Sequence, residues 1–263
     1  MSDSILVTRD GALARVTFNR PASLNAMDFE MGTLWRDIAH EVTSDTSVGA
    51  VILDAAGPAF CAGGDVVAMA TSGAGGEAVT ATAHVIHDGI RTWALSDKPI
   101  IAAVQGAVAG GGLGLMLSAD YIVASEHAKF VSRYANIGLT PDLGVSTLLP
   151  AAIGQRRALQ LLLQDRTLSA AEALDWGLVA EVVGPEEVAG RAEEVARFWL
   201  ENATVAFGQA KRLVRQGADR TFTENLADEA RTIGARFDTE ESKLRVAAFA
   251  AASRKHAAPK ETA

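Results

Sequence analysis

Two short stretches of this sequence are built to aim backbone N–H groups at one point: Phe60-Cys61-Ala62-Gly63-Gly64-Asp65 and Ala109-Gly110-Gly111-Gly112-Leu113-Gly114. Each follows an apolar run that reads as a buried strand, 50–53 before the first and 100–104 before the second, and each leads into a helical pattern. A glycine turn lets a ligand approach main-chain donors closely, and a helix N-terminus adds partial positive charge. Two such turns in one domain suggest a two-donor oxyanion hole, the device that stabilises a developing enolate or tetrahedral oxyanion. Either turn alone is accounted for by tight strand–helix packing; the pair points to chemistry.

Other side chains could take part. Asp142, in Thr140-Pro141-Asp142-Leu143-Gly144, sits between Leu139 and Leu143. Apolar neighbours make a carboxylate a stronger base. Asp is also a favoured helix N-cap, here for a helix over 143–149, and one residue could do both. His84 and His87 form a His-x-x-His pair, but a catalytic zinc wants a third ligand and none is evident. A solvent-facing or core-satisfied histidine is the simpler reading. Cys61 lies beside the first turn, yet no activating base is nominated, so it reads as a small buried residue.

The elements that must hold these groups alternate between strand and helix. Segments 5–8 and 14–18 flank Asp10-Gly11 and predict an opening hairpin. The spacing of Met27, Met31, Leu34, Trp35 and Ile38 predicts a helix over 27–41. Strand 50–53, a flexible loop over 71–76, helix 79–95, strand 100–104, helix 111–119, strand 121–124 and a short strand at 130–131 follow. Beyond Pro150 helices are expected at 155–163 and 169–176, the latter opened by a Ser169/Glu172 capping box. From Pro185 the pattern is helical, with breaks near Gly217 and Asp238. Trp93, Trp176 and Trp199 fall in helical contexts and read as core or subunit contacts. The fold class is α/β with parallel components, divided into a core over 1–190 and a helical region over 191–263.

Bulk properties narrow the function. A net charge of −8 argues against general nucleic-acid binding. The single cysteine excludes an internal disulfide and suits a reducing cytosol. The N-terminus does not resemble a signal peptide. Segment 99–119 carries no charge and is long enough to span a bilayer, but its five glycines and Gln105 fit strand, turn and buried helix better, so no membrane partner is expected. The glycines fail the GxGxxG pattern at Leu115, and no GxSxG elbow is present.

The chain resembles the crotonase (enoyl-CoA hydratase/isomerase) superfamily along nearly its whole length. The resemblance rests on Phe18-Asn19-Arg20-Pro21 with Leu24-Asn25-Ala26-Met27, on both glycine turns through Asp120, on Ile137-Gly138-Leu139-Thr140-Pro141-Asp142, and on the run 168–179. It implies a spiral of ββα units with a helical C-terminal trimerisation region, a homotrimer or hexamer, and an acyl-CoA thioester substrate. Coenzyme A would enter as part of that substrate, with no separate cofactor. Carried over by position, the oxyanion donors are the N–H groups of Gly64 and Gly111. The backbone around Ala62, Gly64, Asp65 and Val66 would receive the adenine and pantetheine. Arg20 would lie near the phosphates, and Lys255 of a neighbouring subunit could reach them, although surface solvation explains Lys255 more simply.

The departures from the family pattern are as informative. The two hydratase glutamates fall at Gly114 and Tyr134, so neither position holds a carboxylate. Asp142 remains, and its Pro-Asp-x-Gly setting resembles the isomerase branch, in which one aspartate carries a proton between Cα and Cγ. The aryl-CoA dehalogenase branch is the second reading: Asp142 would attack the ring, His87 would activate water, and Tyr134 would replace the branch's tryptophan. In the isomerase reading His87 lines the acyl pocket and Tyr134 walls it or donates a hydrogen bond. A non-catalytic acyl-CoA-binding protein is the third. The expectation is a cytoplasmic enoyl-CoA isomerase or hydratase-like enzyme, its acyl specificity shaped by the 71–76 loop and neighbouring helices.

Overall fold

A computed structural model describes residues 3–164 and 166–257, with side chains as far as residue 253. Asp165 and the Lys255 side chain lie outside the described residues. The chain divides into two compact units, 1–208 and 209–263.

The first unit is organised by a six-stranded sheet. Strands β1 (Ile5–Asp10) and β2 (Leu13–Phe18) form the antiparallel hairpin turned at Ala12 and Gly11. Strands β3 (Ala50–Ala55), β4 (Ile100–Val104), β6 (Tyr121–Ser125) and β9 (Glu181–Val183) continue the sheet in parallel, in the order β1-β2-β3-β4-β6-β9. A second sheet, order β5-β7-β8, is built from β5 (Ala107–Ala109), β7 (Lys129–Val131) and β8 (Thr167–Ser169).

Side-chain alternation covers both faces of the large sheet, as a parallel sheet requires. Val51, Leu53, Ile100, Ala102 and Val104 face one core with α1 (Phe29–Ser44), α3 (Gly76–Leu95) and α4 (Gly111–Leu117). Ala50, Ile52, Ile101 and Ala103 face Val188, Ala192, Val195 and Ala196 of α8 (Val188–Glu201). That packing corrects the boundary expected at residue 190: α8 belongs to the first unit because it seals one face of the sheet.

Helix α1 starts where Asp28 accepts the Met31 N–H at 2.8 Å, and it buries Met31, Trp35, Ile38 and Val42. Its crossing with α3 is close because two glycines meet bulky partners. A β-carbon on Gly32 would stand 2.7 Å from Ile86, and one on Gly89 2.5 Å from Trp35. Both glycines are thus needed for the contact that sets the position of α3.

Several elements depart from the sequence expectations. Segment 71–76 is not one loop: Thr71 closes α2 (Val66–Thr71), Gly76 opens α3, and only 72–75 connect them. The second glycine turn follows β5, not β4 directly. Strands β5, β8 and β9 are not expected from the sequence, since three residues carry little periodicity. Remaining helices are α5 (Val145–Ile153), α6 (Gln155–Leu163) and α7 (Ala170–Trp176), the last opened by the expected Ser169/Glu172 capping box. Trp93 is core, Trp199 packs edge-on to Tyr121, and Trp176 lies under the guanidinium groups of Arg157 and Arg166.

Helix α9 (Thr204–Gly217) runs into the second unit, which contains α10 (Phe222–Phe237) and α11 (Glu240–Ala257). Within that unit Asp228 accepts from Arg212 at 2.6 Å and from Arg220, which hold its carboxyl down to about 2. Phe222, Ile233, Phe237 and Phe249 are exposed there.

Candidate active site

Hydrogen bonding across three segments brings the two glycine turns together. Phe60 and Cys61 donate to the Ala107 carbonyl, and Ala109 donates to the Cys61 carbonyl at 3.0 Å, so residues 60–61 extend alongside β5. On the other side, Met27 donates to Gly63 at 2.7 Å and Asp65 donates to Met27 at 2.9 Å. Because Gly63 and Asp65 make those bonds, alternation turns the Gly64 N–H to the opposite side. Gly111 opens α4, where the first N–H groups of a helix have no intrahelical acceptor.

Glycine is required here for contact as well as for conformation. Gly63, at φ +97°, lies so close to the second turn that a β-carbon on it would stand 2.8 Å from Ala109 O and 3.4 Å from Gly111 N. A β-carbon on Gly112 would stand 2.4 Å from Cys61 O. The two turns therefore touch through their main chains.

Buried Asn25, which the sequence left as part of a motif without a role, ties the first turn to the hairpin end. Its side-chain amide donates to Ala56 O at 2.9 Å and Ala59 O at 2.8 Å, and its oxygen accepts the Arg20 N–H at 2.7 Å. A buried amide with these groups satisfied specifies one arrangement of the chain. Its only sequence signal was an Asn among apolar neighbours.

Two openings meet at Gly64 and Asp65. One is a small pocket lined by Met27, Phe29 and Asp28 before and at the start of α1, Ala68 and Met69 of α2, Val79, Thr82, Ala83 and Ile86 of α3, and Asp142 and Leu143. Its walls are largely apolar. The other is a wider, open groove lined by Ala22, Ser23, Ala26, Ala62, Val66, Val67 and Thr71. The residues assigned to coenzyme A, Ala62, Gly64, Asp65 and Val66, all fall on this groove. Of the 71–76 loop expected to shape the acyl pocket, only Thr71 lines either opening; α2 and α3 form the walls instead.

Arg20 is held by three partners, one of them the groove residue Asp65. Its guanidinium donates to Ala26 O and to Asp65 at 3.0 Å and pairs with Asp28 at 3.1 Å. The Ala68 N–H, and then Arg20, hold the Asp65 carboxyl below its usual range against the opposing effect of burial. Arg20 thus spends its donors fastening the Met27 segment to the first turn, and the same Asp65 side chain caps α2.

Asp142 stands in an exposed loop, not enclosed by leucines: Leu139 is exposed too, and only Leu143 is buried. Nor does Asp142 cap a helix, because α5 begins at Val145 with Gly144 as its N-cap, at φ +78°. Instead the Tyr134 hydroxyl donates to Asp142 Oδ1 at 2.6 Å. Burial, then the neighbouring Asp142 charge, pushes the Tyr134 hydroxyl far above its usual range, so it stays a donor. The same Oδ1 lies 3.5 Å from the place a Gly111 β-carbon would occupy.

Leu143 adopts φ +47°, a left-handed conformation that costs a non-glycine residue roughly 1–2 kcal/mol. Its N–H donates to His87 Nε2 at 3.0 Å. The accepting nitrogen carries no proton, so His87 is the neutral Nδ1–H tautomer in this arrangement. His84 is exposed, with its ring 6.4 Å from that of His87, and among the described residues no group of His, Cys, Asp or Glu could hold a metal. Cys61 is fully buried; burial pushes its thiol up to about 12, against a smaller effect of the Gly63 N–H.

Gly114, where the resemblance places the first hydratase glutamate, is closed in by backbone. A β-carbon on Gly114 would stand 1.8 Å from Leu143 O. The carbonyl of the Asp142 loop fills that space.

A model of the enoyl-CoA hydratase/isomerase family matches residues 8–256. The chain belongs to that family, within the crotonase superfamily. A probable enoyl-CoA hydratase of Rhizobium meliloti is 35% identical, covering 95% of each chain. A 1,2-epoxyphenylacetyl-CoA isomerase of Escherichia coli is 32% identical over 86% of this chain and 87% of its own. A 4-chlorobenzoyl coenzyme A dehalogenase of Arthrobacter is also 32% identical, over 87% of this chain and 84% of its own. Among solved structures, a putative enoyl-CoA hydratase from Streptomyces coelicolor aligns with a TM-score of 0.89 at 30% identity, covering 94% of this chain and 91% of that one. The crotonase fold follows, and the protein is an acyl-CoA-processing enzyme of this family. Relatives named for three different reactions stand at nearly equal identity, so identity does not choose among them.

Proposed function

We propose that this protein is an enoyl-CoA isomerase that works through a thioester enolate and a single aspartate base. The observation that carries the reading is that Asp142 and Gly64 line one apolar pocket, with the Asp142 carboxylate against Gly111. The thioester oxygen would sit between the N–H groups of Gly64 and Gly111. Asp142 would take a proton from C2 of a 3-enoyl-CoA, the electron pair spreading into the oxyanion and the adjacent double bond. Return of the same proton to C4 leaves the conjugated 2-enoyl-CoA. One carboxylate suffices because it gives back the proton it removes, and preorganised donors at the oxyanion carry the largest share of the rate.

Hydration with two glutamates is disfavoured on geometry, since Leu143 O occupies the space beside Gly114. The dehalogenase reading needs His87 to receive a proton from water, yet its Nε2 is engaged by the Leu143 N–H. Coenzyme A would lie along the Ala62–Val66 groove. The exposed apolar side chains of the C-terminal unit suit the trimer or hexamer that the resemblance implies. No described helix is long and apolar enough to cross a membrane, and a cytoplasmic site is part of the proposal.

The test is turnover of a 3-enoyl-CoA in D2O by the protein and by Asp142→Asn. Conversion to the 2-enoyl-CoA by the parent alone supports the reading. Equal conversion by the variant would remove Asp142 from the mechanism. Halide release from 4-halobenzoyl-CoA would move the assignment to the dehalogenase branch, and ester binding without any turnover would leave a binding protein.

A further inference from the structure

Asp142, Leu143 and Gly144 hold two successive left-handed residues, Leu143 at φ +47° and Gly144 at φ +78°. Glycine takes that conformation freely and leucine does not, so the loop needs outside support. The support comes from α3: His87 Nε2, 56 residues away in sequence, accepts the Leu143 N–H at 3.0 Å. On the other side Leu143 O abuts Gly114, and the Leu143 side chain abuts Gly111.

We infer that His87 is a positioning residue for the isomerisation: by accepting the Leu143 N–H it holds the Asp142 carboxylate beside the Gly111 oxyanion donor. The inference rests on Asp142 being the base. His87 is absent from the residues that line the acyl pocket, so it acts through the loop and not on the substrate. Two anchors then fix Asp142, the Tyr134 hydroxyl on its carboxylate and His87 on the next peptide. The His87 helix is itself fixed, since its neighbours Ile86 and Gly89 pack against Gly32 and Trp35 of α1. What the loop requires from position 87 is a hydrogen-bond acceptor at the place of Nε2, not a titrating imidazole.

That distinction gives the experiment. Gln places an amide oxygen near Nε2; Phe fills the volume with no acceptor. For His87→Phe, kcat on a 3-enoyl-CoA falls by about tenfold to a hundredfold with KM little changed, the range expected for a displaced catalytic group. His87→Gln recovers most of that loss, and amide hydrogen exchange at Leu143 accelerates in His87→Phe but not in His87→Gln. If both variants lose activity equally while the Leu143 amide stays protected in each, His87 titrates or touches substrate, and the positioning role is overturned. If neither loses activity, it is overturned as well. Asp142→Asn run alongside separates the two layers: a fully active Asp142→Asn refutes the base, whereas an inactive one with insensitive His87 variants refutes only the positioning.

Discussion

The Tyr134 hydroxyl reaches from the buried side of the site to the exposed Asp142 carboxylate, donating to Oδ1 at 2.6 Å. One oxygen of the aspartate is thereby fixed, and it is the same Oδ1 that lies beside Gly111. Tyr134, where the resemblance places the second hydratase glutamate, thus donates to the aspartate.

Tyr134→Phe keeps the ring and removes that donor. Its kcat for isomerisation should fall about tenfold, with acyl-CoA affinity within about threefold, because the loss is of orientation at the reacting group. Steady-state kinetics with direct measurement of CoA-ester binding would check it; an equal loss in both quantities would mean that Tyr134 mainly shapes the pocket.

Gly114→Glu should not create a hydratase. The β-carbon alone would stand 1.8 Å from Leu143 O. Overpacking of this kind costs about 1–3 kcal/mol, against a gain of about 1 kcal/mol when glycine leaves a helix. Gly114→Ala should therefore be destabilising by about 2 kcal/mol or more in urea denaturation, because the atom in the way is backbone, and should slow isomerisation by moving the Asp142 loop. Crotonyl-CoA hydration appearing in Gly114→Glu would show that the loop moves aside freely.

Cys61 should be silent toward iodoacetamide in the folded protein. With its thiol pushed up to about 12, the thiolate at pH 8 is about one part in ten thousand, and the sulfur is buried as well. Mass spectrometry after alkylation with and without denaturant checks this. Rapid native labelling would contradict the burial.

Glu181 ties β9 to β6 and α8, accepting from Arg191 at 2.7 and 2.8 Å and from the Tyr121 hydroxyl at 2.5 Å. Arg191 first, then Tyr121, lowers its carboxyl from 4.5 to about 2. A lowered acid means the unfolded chain binds more protons between those values, so the contribution to stability is complete above about pH 4.5. It drains away as pH falls toward about 2. Its side chain is a quarter exposed, and solvent screening reduces the contribution to about 1–2 kcal/mol. Glu181→Gln should lower stability by that amount at neutral pH and converge with the parent in strong acid. A constant gap down to pH 2 would mean the loss is one of packing.

Much of this protein is determined by its sequence. The hydrophobic periods mark β1 to β4 and α1, and β4 (Ile100–Val104) and α6 (Gln155–Leu163) fall on the expected residues. The capping box at Ser169 and each glycine turn by itself are equally local, because turn chemistry and caps depend on neighbours a few residues apart. The missing carboxylates at Gly114 and Tyr134 follow from the resemblance to the family.

What the tertiary structure decided is whatever depends on contacts between residues far apart in the chain. No local signal could show that Arg20 spends its donors on Asp28 and Asp65, or that α8 seals a sheet face. Nor could it show that the Leu143 carbonyl fills the place of a glutamate side chain. His87 and Leu143, 56 residues apart, meet across the fold, on a helix that Gly32 and Gly89 let pack closely on α1. The sequence names the groups capable of chemistry; close packing determines which of them share a hydrogen bond.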